Sequence, residues 1–325
     1  MGGEIKLHRS CMKKLFCFLF LYIIVNLAAI AQQDPQFTFN KVTQLSVNPG
    51  FAGHDGLVNG AILNRYQWVG FEGSPHTLLF SVGAATQLFG IPSGVGLNIM
   101  SDELGFEKNI SVSIDYAYRK KTGLGMLGIG ASVGFLNKAV NGDWYNPEGE
   151  QYTPTESDPR VPQGDVSALA FDVGLGVYLR ADDYYVGASV THLNQASFVY
   201  ADQATDYLAR IYYVSGGYNI GLSDPLFEIQ PSVLVKTDLA TYQADMTVDL
   251  VYKKRYSAGL NYRVNDAISV LLGFEMLNGL RVGYAYDIIV SAMSGYTGGS
   301  HELYLGYSFD LGKNRNKKYK SVRFL

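Results

Sequence analysis

Residues 109–118 read NISVSIDYAY, and they alternate strictly between two kinds of side chain. The even-numbered positions carry Ile, Val or Tyr, whereas the odd-numbered positions carry Asn, Ser, Asp or Ala. Because successive side chains of a β-strand point to opposite faces, this stretch predicts a strand with one apolar and one polar face. Residues 242–252 (YQADMTVDLVY) and 280–288 (LRVGYAYDI) repeat the pattern.

Segments of this kind recur along the chain from residue 57 onward. Most of them are longer than the ~5–6 residues of an ordinary soluble strand and approach the ~9–11 residues of a tilted membrane-crossing strand. We count fourteen, at residues 57–68, 76–88, 93–101, 107–119, 123–137, 167–180, 183–193, 210–220, 227–237, 241–252, 256–264, 267–277, 280–288 and 300–310. An even number of long hairpin-linked strands predicts an all-β fold, a transmembrane antiparallel up-and-down β-barrel of about 14 strands within residues 57–311.

The composition excludes several other classes of protein. The 325-residue chain is 47% hydrophobic and 17% charged, which excludes a disordered protein. After the N-terminal region, no stretch approaches the ~20 continuous apolar residues that a membrane-spanning helix needs. The formal net charge of −3 gives no basic footprint, so we expect no nucleic-acid partner.

The first 31 residues have the pattern of a signal peptide. Lys13 and Lys14 precede an apolar run at residues 15–24, and a small-residue cleavage site ends at Ala31. An N-terminal anchor helix is the alternative, but the apolar run is short for one. Both cysteines of the chain lie in residues 1–31, so the expected exported chain has no thiol for catalysis, disulfides or metal binding.

The connections between the predicted strands alternate in length. The long ones, at residues 138–166, 194–209 and 289–299, are all odd-numbered along the chain, whereas the even-numbered connections are short turns. Outer-membrane barrels have short periplasmic turns and longer loops on the outside, and a soluble sandwich gives no reason for such an alternation. The pattern therefore predicts a protein of the outer membrane, surrounded by its lipid, with the short turns and both termini in the periplasm.

Charged residues on the predicted strands identify the inner face of the barrel. A Lys or Arg that faces lipid at the bilayer midplane costs ~2–4 kcal/mol, so we expect strand charges to point into the lumen. Because their signs are mixed, we interpret them as an ion-paired network in a largely filled lumen rather than as the lining of an ion pore. The predicted network consists of Asp115, Asp245, Asp249, Arg263, Glu275, Arg281 and Asp287.

Two segments lie outside the predicted barrel wall. Residues 32–56 are polar, contain Pro35 and Pro49, and have no long alternating run, so we expect them to form a plug in the lumen or to lie across the periplasmic mouth. Residues 312–325 form a basic periplasmic tail. This tail is interpreted either as a docking arm or as a disordered solubilising tail.

The sequence contains no motif that predicts catalysis or cofactor binding. HExxH and P-loop motifs are absent, and the acidic loop lacks the ligand spacing of an EF-hand, so we expect no enzyme activity, metal or cofactor. His192, with Ser189 before it and Asn194 after it, allows the hypothesis of an outer-membrane lipase. A histidine at the end of an apolar strand face is the simpler interpretation.

Several motifs resemble the PorP/SprF family, outer-membrane proteins of the type IX secretion and gliding machinery of Bacteroidetes. They are NPGFAG at residues 48–53, NRYQW at residues 64–68 and GFEGSP at residues 70–75, in this order, followed by SHEL at residues 300–303. Gly50 departs from the alanine that the family pattern has at that position. The resemblance covers nearly all of the chain after the signal peptide.

The resemblance implies a non-enzymatic role in which protein partners are the function. Family members either contact periplasmic ring components or help to hold a secreted protein at the cell surface through its C-terminal domain. On this chain the residues expected to bind a partner are two basic turns, the basic tail and the opening motif: Arg119, Lys120, Lys121, Lys253, Lys254, Arg255, Lys317, Lys318, Asn48, Pro49 and Trp68. Asn48, Pro49 and Trp68 can equally serve only to fix the N-terminal segment, and a passive channel for small hydrophobic molecules remains the alternative function.

Overall fold

The computed structural model describes residues 34–141, 164–200 and 203–310. Residues 44–47 form a helical turn and residues 49–51 a 3₁₀ turn, here α1 (Gln44–Val47) and η1 (Pro49–Phe51). The strands are β1 (Val58–Tyr66), β2 (His76–Leu88), β3 (Ile91–Leu104), β4 (Glu107–Thr122), β5 (Gly125–Val140), β6 (Val166–Arg180), β7 (Tyr184–Thr191), β8 (Ser197–Tyr200), β9 (Gln203–Tyr207), β10 (Ile211–Tyr218), β11 (Ile220–Gly221), β12 (Phe227–Thr237), β13 (Tyr242–Tyr252), β14 (Tyr256–Arg263), β15 (Ala267–Glu275), β16 (Leu280–Ile289) and β17 (Ser300–Phe309). The predicted signal peptide (1–31) and basic tail (312–325, with Lys317 and Lys318) lie outside the described residues.

The strands form one closed antiparallel barrel. Consecutive wall strands pair in order, β1 also pairs with β17, and β10 pairs with both β7 and β12, so no edge of the sheet is left open. The short β11 extends β10 along β12, and β8 and β9 form a separate hairpin. The wall therefore has fourteen strands, which confirms the predicted all-β barrel.

The two faces of the wall differ as the alternating sequence predicts. On β4 the outward-facing Ile114 is 60% exposed, whereas its neighbour Asp115 is 2% exposed in the interior. The outer surface is a continuous belt of exposed Leu, Ile, Val, Phe and Tyr side chains, as a lipid-facing surface requires. Among the described residues, no helix is both long and apolar enough to cross a lipid bilayer.

The strand boundaries differ from the prediction at one basic turn. Lys120–Thr122 were expected to form a turn, but they continue β4, with Lys120 opposite Leu127 and Thr122 opposite Gly125 on β5. The connection is instead the two-residue turn at residues 123–124. Gly125, the next residue, has a φ of 141°, a backbone conformation that residues with a side chain rarely adopt. A second difference is the hairpin β8–β9, which lies within the loop predicted at residues 194–209.

The two ends of the barrel are distinguished below by their connections. The long-loop end carries the connections that follow β1, β3, β5, β7, β12, β14 and β16, and the short-turn end carries the others and residue 310. The hairpin β8–β9 folds over the mouth at the long-loop end. Phe198 on β8 and Leu208, the residue after β9, are buried against Ala168 and Ala170 on the inner face of β6.

Candidate functional site: the filled lumen

The N-terminal segment, defined here as residues 34–57, lies inside the barrel. It begins with Asp34 beside His192 at the long-loop end and reaches β1 at the short-turn end. On the way it contacts side chains on strands from opposite sides of the wall, among them Glu302 on β17 and Ser189 on β7. The first described residue therefore lies toward the long-loop end, whereas residue 310 lies at the short-turn end. The predicted periplasmic position of both termini concerns residues outside the described ranges.

Arg65 is the centre of an ion-paired cluster that fixes this segment. Its guanidinium lies 2.7 Å from Asp287 Oδ2 and 2.8 Å from Glu302 Oε2, with all three side chains at most 1% exposed. Thr38 of the N-terminal segment joins the cluster, because its hydroxyl donates to Asp287 and its backbone N–H donates to Glu302. The backbone N–H of Phe39 donates to the other Glu302 oxygen at 2.7 Å. The N-terminal segment thus completes the hydrogen bonding of two buried carboxylates.

Arg263 extends the same cluster along β14. Its Nε donates to Asp245 at 2.8 Å, and its Nη1 lies 3.4 Å from both Asp266 and Asp287. Asp287 is therefore shared by two arginines, Arg65 and Arg263. Charges this deeply buried are stable only when they are paired and hydrogen-bonded, and here they are.

The other residues of the predicted network are spread around the wall. Asp249 binds Lys41 of the N-terminal segment at 2.7 Å. Arg281 donates to Ser308 Oγ at 2.7 Å and stands opposite Glu275 in the β15–β16 register. Asp115 accepts a hydrogen bond from Asn98 at 2.7 Å, on the opposite side of the lumen from the arginine cluster.

Sequence reasoning missed two members of the arginine cluster. Arg65 and Glu302 both lie on predicted strands, and the cost of a charge in lipid would have assigned both to the interior. The contributions of Thr38 and Lys41 carry no such signal, since they belong to a segment without strand periodicity.

Asp34 anchors the beginning of the N-terminal segment. Its carboxylate lies 2.8 Å from His192 Nε2 and accepts a hydrogen bond from the hydroxyl of Tyr213. Burial alone would raise the pKa of Asp34, but the charge of His192 and these hydrogen bonds lower it to about 2. Burial would likewise lower the pKa of His192, but Asp34 and Asp172, whose Oδ1 lies 3.0 Å from Nδ1, raise it to about 10.

These contacts remove the geometric basis of the lipase hypothesis. Both ring nitrogens of His192 face carboxylates, and the Ser189 hydroxyl donates to the backbone oxygen of Val47 at 2.6 Å. Asn194 binds backbone groups of β6 instead of His192. The three residues therefore serve the N-terminal segment and the wall, and no serine–histidine pair is formed.

A row of glycines on β3, β5 and β6 admits the backbone of residues 48–53. A Cβ added at Gly94 would lie 1.9 Å from the oxygen of Ala52, and one at Gly128 would lie 2.1 Å from the oxygen of Gly50. A Cβ at Gly130 would lie 2.4 Å from the carbonyl carbon of Pro49. This role could not be predicted from the sequence, because a glycine within a strand does not indicate which part of the chain packs against it.

The opening motif packs inward. Asn48 is buried, caps η1 through a hydrogen bond from Gly50 N, and donates to the oxygen of Val177. Pro49 is also buried. The expectation that Asn48 and Pro49 contact a partner is corrected by this placement, because the wall encloses both residues. Trp68 lies at the long-loop end, where its backbone N–H donates to Ser300 Oγ.

The basic residues at the short-turn end are only partly exposed to a partner. Lys120 and Lys121 are exposed near the end of β4, whereas Arg119 faces inward and is half-buried. Lys253, Lys254 and Arg255 form the turn between β13 and β14, and Lys254 lies 3.6 Å from Glu228. The two groups therefore lie at the same end of the barrel, although only the second one is a turn.

A cavity of about 620 Å³ lies between the N-terminal segment and strands β3–β7. It extends from the long-loop end into the lumen, and its lining includes Asp102, Asn109 and Asp115. In the described ranges, no three His, Cys, Asp or Glu side chains are grouped so as to hold a metal ion.

These features define a membrane β-barrel whose lumen is occupied by its own N-terminal segment. The sequence of residues 29–307 matches the family described as type IX secretion system membrane protein PorP/SprF. The chain therefore belongs to the PorP/SprF family, which confirms the resemblance. Among curated proteins, none matches the sequence.

Solved barrels of other families are similar in shape. The outer membrane protein Omp33 of Acinetobacter baumannii has 10% identity and a TM-score of 0.44, over 79% of this chain and 100% of that chain. The toluene transporter TbuX of Ralstonia pickettii has 12% identity and a TM-score of 0.48, over 82% and 93%. The monoaromatic hydrocarbon channel CymD has 12% identity and a TM-score of 0.48, over 82% and 91%. Similarities this low carry no argument about function.

Proposed function

We propose that this protein is a non-enzymatic outer-membrane component of the type IX secretion machinery and acts by binding other proteins. It docks periplasmic ring components or anchors a secreted surface protein through that protein's C-terminal domain. The observation that carries the proposal is the N-terminal segment in the lumen, held by the buried Arg65, Asp287 and Glu302 cluster. A lumen filled in this way leaves the two ends of the barrel as the surfaces available for function.

The orientation follows from the lengths of the connections. Short turns face the periplasm and long loops face the outside in outer-membrane barrels, so the short-turn end is assigned to the periplasm. Residue 310 and the turn at residues 253–255 then both lie at the periplasmic end. The hairpin β8–β9 faces the cell exterior.

The periplasmic end offers a positive docking surface. Lys253, Arg255, Lys120 and Lys121 are exposed there. Charge complementarity chiefly sets the rate and specificity of protein association, so an acidic surface on a periplasmic partner fits this end.

Neutralising this surface tests periplasmic docking. A variant with Gln at Lys120, Lys121, Lys253, Lys254 and Arg255 should fold and reach the membrane but retain less of its periplasmic partners during native co-purification. Lys108→Gln, at the long-loop end, is the control, because it removes an exposed lysine from the opposite side. Unchanged co-purification of the five-residue variant would contradict docking at this surface.

If the protein anchors a secreted protein, changes at the long-loop end should release that protein and leave the periplasmic partners bound. Replacing the hairpin at residues 197–207 with a short Gly/Ser linker should release the surface protein into the medium while the periplasmic partners stay bound. Retention of the surface protein by this variant would exclude the hairpin as the anchoring surface.

A passive channel for small hydrophobic molecules is the second candidate function, and the 620 Å³ cavity favours it. Uptake of a small aromatic hydrocarbon into liposomes that contain the purified protein would support a channel. Uptake equal to that of empty liposomes is expected if the N-terminal segment closes the path.

A further inference from the structure

Asp115 is a deeply buried carboxylate without a cation. It is 2% exposed, and its one hydrogen bond comes from the Asn98 amide to Oδ2 at 2.7 Å. No Lys, Arg or His of the described residues lies within ion-pair distance of it. The buried carboxylates of the opposite wall, Asp287 and Asp245, each bind arginine. Asp115 therefore differs from Asp287 and Asp245, since an unpaired buried charge is unfavourable.

Asp115 lies at the inner end of the 620 Å³ cavity. The inward-facing residues of β4 from the mouth downward are Asn109, Ser111, Ser113 and Asp115, and all four line the cavity. Asp115 is six positions beyond Asn109, which corresponds to about 20 Å along a strand. Ser132 and Gly134 of β5, the paired neighbours of Asp115 and Ser113, lie beside them on the same wall of this slot and are small.

A buried acceptor without a hydrogen-bond partner lies along the same slot. The side-chain oxygen of Asn109 is buried and has no hydrogen-bond partner among the described residues. Nearer the mouth, Lys138 lies 3.1 Å from Glu107, and His192 lies between Asp34 and Asp172. Asp102 accepts a hydrogen bond from the Thr77 hydroxyl at 2.6 Å and has no ion-pair partner among the described residues. The lining also includes Phe37, Met100 and Leu136, which give the slot apolar sides.

We propose that this slot binds a primary ammonium or guanidinium group carried on a slim apolar stem, with the cation at Asp115. A cation at Asp115 would supply the charge partner that the chain lacks there, and the stem would lie against the small and apolar side chains above it. The volume is within the ~300–1,000 Å³ of ordinary ligand sites. Two sources have this chemistry, a free alkylamine and the lysine or arginine side chain of a bound protein.

The proposal goes beyond docking at the short-turn end and does not depend on it. Binding can be measured by calorimetry on the folded full chain in zwitterionic lipid nanodiscs, with empty nanodiscs as the blank. The probes are hexylammonium, its neutral analogue 1-hexanol, and hexanoate. We expect hexylammonium to bind about tenfold (~1.4 kcal/mol) more tightly than either of the others, because it alone brings a positive charge to Asp115.

Asp115→Asn tests the residue directly, because it keeps an acceptor for Asn98 and removes only the charge. It should abolish the preference for hexylammonium, whereas the matched control Asp182→Asn, in an exposed short turn, should retain it. Equal binding of hexylammonium and hexanol to the unaltered protein would overturn the proposal, and this measurement needs no variant to fold. A preference that survives Asp115→Asn would overturn it as well.

A capped tripeptide with one lysine between two glycines distinguishes the two sources. Binding of the peptide with the same dependence on Asp115 assigns the cation to a protein side chain. Rejection of the peptide together with binding of hexylammonium assigns it to a free amine.

Discussion

The two sides of the lumen hold the N-terminal segment by different means. On the side of β14, β16 and β17, Arg65 and Arg263 bind Asp245, Asp287 and Glu302, and Thr38 enters this cluster through hydrogen bonds. On the side of β3, β5 and β6, the contact is steric, and bare glycine backbone lies against residues 49–53.

The difference shows how a short segment without regular structure obtains one fixed position. The ionic side specifies which groups must meet, because each buried carboxylate needs its own donors. The glycine side specifies how closely the backbone approaches, because any side chain there would occupy the same space. Breaking each side separately should therefore give effects of different size and kind.

The largest effect is expected from Arg65→Ala on the ionic side. It leaves Glu302 without a cation and Asp287 with only the more distant Arg263, so the free energy of unfolding should fall by about 3–5 kcal/mol. Denaturant unfolding in lipid vesicles measures this change. Lys41→Ala is the control, since its pair with Asp249 is partly solvated and should cost less. Equal losses for the two variants would contradict a dominant arginine cluster.

A smaller effect is expected from Gly130→Ala on the glycine side. The new methyl group would collide with the backbone of Pro49 and Gly50, and overpacking of this kind costs about 1–3 kcal/mol. The same unfolding measurement applies, together with protease accessibility of the N-terminal segment, which should increase. Gly60→Ala on β1 is the matched control because nothing lies within 4 Å of its added Cβ. A stable Gly130→Ala variant with a protected segment would show that the close approach is not needed.

The third effect, similar in size to that of Gly130→Ala, is a pH dependence at Asp34, where the segment begins. The pKa of Asp34 is lowered from 3.8 to about 2, so its stabilisation is present above pH 3.8 and is lost as pH falls toward 2. The pKa of His192 is raised from 6.5 to about 10, so its stabilisation is present below pH 6.5 and is lost as pH rises toward 10.

The anchoring of Asp34 should therefore be strongest between pH 3.8 and pH 6.5. The loss of unfolding free energy as pH falls below 3.8, here the acid limb, is on the order of 2 kcal/mol. Asp34→Asn should remove this limb from a plot of unfolding free energy against pH. An unchanged acid limb in Asp34→Asn would assign that limb to other carboxylates.

The wall could be predicted from the sequence because lipid imposes a simple rule on every strand. One face must be apolar and the other must take the charges, so the period of two revealed both the strands and the inward position of Asp115 and Asp287. The same rule extends to Arg65 and Glu302. The rule does not predict where β4 ends, because Lys120 and Lys121 have the composition of a turn but continue the pairing with β5.

The interior could not be predicted in the same way. The N-terminal segment has no strand period, so nothing local indicates that Thr38 meets Glu302 or that Asp34 meets His192. The glycines at positions 128 and 130 show only that the strand can bend or be approached, and the approaching group lies about 80 residues away in sequence. Such contacts are set by the closed barrel as a whole.

We infer that the chain closes its own lumen and therefore acts through its ends. Single-channel recording in planar bilayers tests this most directly, with the full chain compared with a variant that lacks residues 34–56. We expect no stable conductance for the full chain and porin-like conductance steps for the deletion variant. Steady porin-like conductance from the intact protein would contradict it.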